Sequence, residues 1–163
     1  MTLRDATEAD LPAINDIYNL RVLDSTCTFQ ITPATLEERR AWFTGRGPRH
    51  PVIVAEENGA IVAWGSLSPF HKREAYAATV ENSVYVHHLH QRRGLGRMVM
   101  EELIRRARAS GVHSIVAIIA AEQEGSILLH SSLGFTETGR LREVGIKFGR
   151  TLDVLYMQLL LES

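Results

Sequence analysis

The chain has 163 residues, 45% of them hydrophobic and 23% charged, with 18 Lys plus Arg against 19 Asp plus Glu; this length supports one buried core, this composition excludes a disordered chain, and the charge balance gives no electrostatic reason to expect nucleic acid as a partner. The single cysteine, Cys27, excludes an internal disulfide framework, the opening "MTLRDATEADL" lacks the apolar core of a signal peptide, and no apolar run approaches the ~20 residues that cross a bilayer. The expectation is one domain over residues 1–163, cytoplasmic, with neither a membrane nor a nucleic acid as partner.

A short strand candidate at the start leads into a first helix, where Thr7 and Asp10 form a capping-box pattern ahead of Leu11, Ile14, Ile17 and Tyr18 at helical spacing. Residues 21–32 read as a long loop, and loops of that length in compact domains are often functional. A second, short helix begins near Pro33 or Thr35 and stops at Gly45 and Gly47. "PVIVAEENGAIVAWGSLS" holds two apolar, β-branched runs around Asn58-Gly59, the signature of a type I′ hairpin.

"TVENSVYV", residues 79–86, predicts a strand with Thr79, Glu81, Ser83 and Tyr85 on one face and Val80, Asn82, Val84 and Val86 on the other. A carboxylate therefore sits inside a strand. From Leu95 to about Gly111 the spacing predicts a helix, with Leu95, Val99, Leu103 and Ala107 in one row and the arginines mostly opposite. "HSIVAIIAA" reads as a strand buried on both faces. A short helix over about residues 124–133 ends at Gly134, and "FTETGRL" and "LDVLYMQLLL" supply the last strands. The order β α α β β β α β α β β is a mixed α/β pattern in one layer-packed domain.

The junction "QRRGLGRMVM" admits three readings. A dinucleotide fingerprint lacks its third glycine, since Val99 stands there, and a nucleotide P-loop lacks its lysine and hydroxyl, since Arg97 and Met98 follow Gly96. The third needs only a helix N-terminus, whose free N–H groups and dipole attract anions. Gly94 and Gly96 let a phosphate approach the backbone, and Arg92, Arg93 and Arg97 add charge. A plain glycine turn capping a surface helix is the alternative. His87, His88 and His90 lie close together in "HHLH", but without a nearby Cys or paired carboxylate no metal is expected. Cys27, a loop cysteine without an adjacent base, reads as inert, and Trp42 and Trp64 as packing residues.

Gln91 to Gly96 resembles the Q/R-x-x-G-x-G/A motif with which the GCN5-related N-acetyltransferases (GNAT) cradle the pyrophosphate of acetyl-CoA, and "LHSSLGF" resembles that family's late helix and its Gly-Phe end. More narrowly, "IYN", "TFQITP", "REAY", "TVENSVYV", "HQRRGLG", "SILLHSSLGF" and "GIKFGRTLDV" are similar to segments of phosphinothricin and methionine sulfoximine N-acetyltransferases. The resemblance implies the GNAT fold of class α/β (α+β), a twisted mixed and mostly antiparallel sheet with helices on both faces. It also implies acetyl-CoA as cosubstrate, no metal, a homodimer, and a small amino-acid acceptor such as L-phosphinothricin, methionine sulfoximine or methionine sulfone. Transfer to its α-amine would be direct, within a ternary complex.

Carried onto this chain, the resemblance makes Glu81 the general base, an amine needing to lose its proton before it attacks a thioester. A solvated or cross-strand-paired glutamate is the alternative. Backbone at Val84, Tyr85 and Val86 would pair with the pantetheine arm and supply the oxyanion donor. Gln91, Arg92, Arg93, Gly94, Leu95, Gly96 and Arg97 would hold the pyrophosphate. His130 stands where many members have a tyrosine that protonates the leaving thiolate, and the phosphinothricin group has histidine there. Gln123 replaces the family's usual asparagine at the start of this helix, and Thr151 replaces the tryptophan of Phe-Gly-x-Trp. Phe29, Arg73, Tyr76, Ser83 and Lys147 resemble the substrate pocket, with Arg73 suited to an anionic group. Other acceptors (a polyamine, an aminoglycoside or a protein N-terminus) and a non-catalytic acyl-CoA sensor remain as alternatives.

Overall fold

In the computed structural model, which describes residues 1–162, all strands enter one seven-stranded sheet. The elements are β1 (Thr2–Asp5), α1 (Leu11–Asp24), α2 (Leu36–Phe43), β2 (Val52–Glu57), β3 (Ala60–Pro69), β4 (Thr79–Val86), α3 (Leu95–Ala109), β5 (Ser114–Ala120), α4 (Glu124–Ser132), β6 (Thr136–Lys147) and β7 (Arg150–Leu160). The spatial order is β1-β2-β3-β4-β5-β7-β6. Every neighbouring pair is antiparallel except β4 and β5, which run parallel. The expected mixed, mostly antiparallel architecture is the one observed. No helix among the described residues is long and apolar enough to cross a membrane.

Helices cover both faces because the strands are apolar on both. On one face α3 presents Leu95, Val99, Met100, Leu103 and Ala107 to Ile53, Val62, Leu67, Val80 and Ile115. On the other, Leu11, Ile14 and Ile17 of α1 pack on Val52, Val54 and Trp64. α3 approaches β3 closely at Gly65, where an added Cβ would lie 2.6 Å from Val99 Cγ1. The β2–β3 hairpin turns through Asn58 (φ 52°) and Gly59 (φ 79°), both left-handed as a type I′ turn demands.

Three expectations change. The Thr7–Asp10 capping box forms, but around a one-turn 3₁₀ segment, Glu8–Asp10, that precedes α1. α1 continues through Arg21 to Asp24, so the loop spans 25–35 rather than 21–32. β6 extends past "FTETGRL" to Lys147, with register shifts at Glu137/Gly139 and Leu141/Gly145. It is an edge strand exposed along nearly its whole length, so no buried alternation marks it in the sequence.

Candidate active site

β4 and β5 pair over only three residues, Thr79↔Ser114, Val80↔Ile115 and Glu81↔Val116. Beyond Glu81 they part, while β4 stays on β3 and β5 stays on β7. Bonding alternates along an antiparallel pair, and His87 N–H donates to Val62 O at 2.9 Å. By that alternation Ser83 and Tyr85 direct their backbone groups to β3, and the amides of Val84 and Val86 face the open edge. Backbone pairing at the arm is therefore available at Val84 and Val86 but not at Tyr85, a correction to the expectation for that residue.

The parting strands leave a cavity of about 270 Å³. Its walls are Glu81 to Tyr85 of β4, Ala117 to Ala120 of β5, the loop from Thr26 to Phe29, Ser126 and His130 of α4, and Val154 of β7. Ile118 is partly exposed because β4 has left its side, so β5 is not buried on both faces throughout. Glu81, Ser83 and Phe29 all line the cavity.

Burial raises the Glu81 carboxyl above its ordinary range, and among the described residues no side chain bonds to it or pairs with it. A carboxylate poorly solvated and without a counter-ion is a stronger base than one in water. Tyr85 also lines the cavity, and burial keeps its phenol protonated.

His130 is 2% exposed. Its Nδ1 lies 2.7 Å from Ser126 O, and its Nε2 lies 2.9 Å from Asn82 Nδ2. A carbonyl only accepts and an amide nitrogen only donates, so Nδ1 carries the hydrogen and Nε2 accepts. Burial holds the ring below its usual titration range, against the opposing Ser126 contact, which keeps it neutral. Expected as proton donor to the thiolate, His130 has its one N–H already spent on Ser126.

At the start of α3, Gly94 has φ 76° and ψ 6°, and Arg92 also has a left-handed φ of 59°. This turn presents the first amides of α3, from Leu95 and Gly96 onward, as an anion site. A Cβ on Gly96 would sit 3.4 Å from Leu129 Cδ2, an ordinary contact with α4. The three arginines differ. Arg93 makes a bidentate pair with Glu57 at 3.0 and 2.9 Å, so its charge is neutralised on the hairpin. Arg97 bonds Glu101 and Ser132. Arg92 alone of the three has no side-chain partner among the described residues, and Gln91 beside it is exposed.

Other expected residues lie elsewhere. Lys147, 4% exposed, donates from Nζ to Ser25 O at 2.7 Å and Thr28 O at 2.8 Å; it clamps the cavity loop from behind and does not line the cavity. Arg73 caps the 3₁₀ turn Glu74–Tyr76, which lies outside the cavity wall, and the Tyr76 ring is tilted against His71 at 4.8 Å. Gln123 donates to Thr26 Oγ1 at 2.9 Å, and Thr26 in turn donates to Glu122 at 2.5 Å. Its side chain thus ties the loop to α4 rather than standing free for a cofactor arm. Among the described residues no group of three or more His, Cys, Asp or Glu is placed to hold a metal.

The cavity also holds residues not expected there: Thr26, Cys27, Thr28, Asn82 and Ser126. For Asn82 a signal was visible, a lone amide on a strand face otherwise made of valines. For the others there was none, since loop 25–35 shows no periodicity.

Residues 14–135 match the model of the acetyltransferase (GNAT) family. The chain is 43% identical over 164 residues to the L-methionine sulfoximine/L-methionine sulfone acetyltransferase of Salmonella typhimurium, covering 100% of this chain and 96% of that protein. A ribosomal-protein-alanine N-acetyltransferase from Brucella melitensis superposes with a TM-score of 0.95 at 43% identity, covering 99% of this chain and 100% of that one. A GNAT superfamily phosphinothricin acetyltransferase from Sinorhizobium meliloti, solved in complex with AcCoA, superposes with a TM-score of 0.95 at 37% identity over 98% of this chain and 88% of that one.

Proposed function

The chain belongs to the acetyltransferase (GNAT) family and is an N-acetyltransferase, and we propose that it moves the acetyl group of acetyl-CoA onto the α-amine of a small amino-acid analogue of the methionine sulfone, methionine sulfoximine or phosphinothricin kind. The observation that carries this reading is Glu81, half-buried and unpaired among the described residues, in a small cavity opened where β4 leaves β5. A cavity of about 270 Å³ suits a single amino acid better than a polyamine or an aminoglycoside.

An aliphatic ammonium keeps its proton at neutral pH, and a carboxylate raised toward neutrality is better matched to take it. Glu81 accepts the proton, directly or through a water. The neutral amine nitrogen then bonds to the acyl carbon and gives its second proton to water, and the carbon–sulfur bond breaks, its electron pair leaving on sulfur. The open-edge amides of Val84 and Val86 are the donors for the oxyanion and the pantetheine arm. The α3 N-terminus at Gly94 to Gly96, with Arg92, fits a pyrophosphate. Ser83 and Phe29 shape the acceptor side, and Arg73 and Tyr76 act there only if their turn closes over the cavity. No metal takes part in this chemistry.

We assign the chain as one catalytic domain, cytoplasmic, and a homodimer. The dimer is supported by the edge strand β6 and a shallow apolar depression lined by Leu23, Ile31, Ile146 and Phe148, all exposed. Sedimentation of the purified protein tests it: a monomer at working concentration rejects it. A second acceptor class, a protein N-terminal alanine, is favoured by the similarity to the ribosomal-protein-alanine N-acetyltransferase from Brucella melitensis. Thiol release from acetyl-CoA separates the two. Turnover of L-phosphinothricin, methionine sulfoximine or methionine sulfone supports the small-acceptor reading. Silence with all three alongside turnover of an alanine-initiated peptide or a polyamine rejects it.

A further inference from the structure

The face that β4 turns to α3 carries Val80, Val84, Val86 and one amide, Asn82, which is 8% exposed. Its Nδ2 serves His130 Nε2 at 2.9 Å and lies 3.3 Å from Met100 Sδ, while its Oδ1 is buried with no partner among the described residues. Turning the amide over would put Oδ1 on His130 Nε2, which could bond to it only by carrying a proton. With Nδ1–H already on Ser126 O, the ring would then be an imidazolium. The surroundings oppose that charge: Met100 comes from α3, and Phe135 meets the ring edge-on at 4.9 Å. The titratable groups in the same cavity are Glu81 and Tyr85 on β4 and Cys27 in the loop, and none of them bonds to the ring. The unpartnered oxygen is thus the counterpart of a neutral histidine.

We propose that Asn82 is a positioning residue for acetyl transfer: it fixes His130 in the Nδ1–H tautomer, with no proton to give into the cavity, so that the thiolate departs without an imidazolium acid. The chemical half of this rests on the N-acetyltransferase reading; the geometric half does not. The atoms balance without His130. The ammonium's first proton goes to Glu81, the nitrogen–carbon bond forms, the attacking nitrogen gives its second proton to water as the intermediate collapses, the carbon–sulfur pair leaves on sulfur, and solvent protonates the thiolate. A thiol with a pKa of about 8.5 is a good enough leaving group to need no acid near neutral pH. His130 then acts as a strut that ties α4 to β4 beside the reacting atoms.

The test is nitrogen NMR of the histidine rings in the uniformly ¹⁵N-labelled full chain, with His130 assigned by its absence from the His130→Gln spectrum. The expected result is a protonated Nδ1, an unprotonated Nε2, and no titration across neutral pH. A protonated Nε2, or a ring that titrates there, overturns the proposal even if no amine is ever found to be acetylated. Asn82→Asp supplies the second arm, because a carboxylate facing Nε2 favours the imidazolium. His130 should then titrate higher by roughly 1–3 pH units, and the kcat profile should gain a limb that follows the ring. An Asn82→Asp enzyme with an unchanged profile overturns the role in turnover. If that variant does not fold, the wild-type tautomer still decides.

Discussion

Glu81 contributes to stability and to catalysis with opposite signs. Burial raises its folded-state pKa, so the folded protein binds this proton more tightly than the unfolded chain does. Its stabilising contribution is present below the unfolded pKa and is lost as pH rises through the folded one. At neutral pH the ionised side chain therefore costs stability, and Glu81→Gln should raise the melting temperature, by ~2–4 °C for each kcal/mol relieved. Thermal scans at about pH 5 and about pH 8 should show the gain growing with pH. The same variant should lose about 10²–10⁴ in kcat while still binding acetyl-CoA. A variant that turns over normally removes Glu81 as the base. The arginines make a second contrast. Arg92→Ala should raise the KM for acetyl-CoA about tenfold or more, the worth of one charged hydrogen bond, whereas Arg93→Ala, which breaks only a solvent-screened surface pair with Glu57, should leave both KM and stability nearly unchanged. Equal effects would show that Arg93 leaves Glu57 for the phosphate. At this scale the sequence marks residue types on a strand or at a helix start, which is why Glu81 and Gly94 were legible. It does not mark partners, so the bonds of Arg93 to Glu57, Lys147 to the loop carbonyls and Gln123 to Thr26 were not.

Elements were legible where their pattern is local. The 3.6-residue row of α3, the Asn58-Gly59 turn and the alternation of β4 each lie within one segment, and each formed as read. What lay outside reach was the length over which β4 and β5 stay paired, because a parallel register is fixed by contacts between distant segments. The end of that pairing is the cavity itself, so its position was hidden even though the residues on its β4 wall were not. The close approach of α3 to the sheet is similarly non-local and rests on Gly65. A Cβ there would meet Val99 Cγ1 at 2.6 Å, Leu103 Cδ1 at 3.0 Å and the Ser83 carbonyl at 3.0 Å. The backbone contact cannot yield as a side chain can. Gly65→Ala should therefore destabilise by about 1–3 kcal/mol. It should also weaken acetyl-CoA binding, because α3 carries the anion site at its first turn. Chemical denaturation and a coenzyme titration on the same variant check both parts, and a variant with unaltered midpoint and affinity shows that α3 can shift without cost.

For the whole molecule, the sheet is continuous only by those three β4–β5 pairs, with β1 to β4 on one side and β5 to β7 on the other. Further links span the opening, among them Asn82 of β4 to His130 of α4, Lys147 of β6 to the carbonyls of loop 25–28, and Thr26 of that loop to Glu122 and Gln123 before α4. A cosubstrate seated between the strands would bridge the same gap, bonding to amides at Val84 and Val86 that otherwise face the opening. Binding to the folded state alone stabilises by about 2.7 kcal/mol at a hundredfold excess over Kd. For a chain of this size that corresponds to a rise of roughly 5–10 °C in melting temperature. The location of the effect is more telling than its size. In amide hydrogen exchange, Val84 and Val86 should gain protection with acetyl-CoA, whereas Ser83 and Tyr85, already bonded to β3, should change little. Uniform protection along β4 would mean that the strand moves as a whole when the cosubstrate binds. No change at Val84 and Val86 would place the arm elsewhere and remove the open edge as the source of the oxyanion donor.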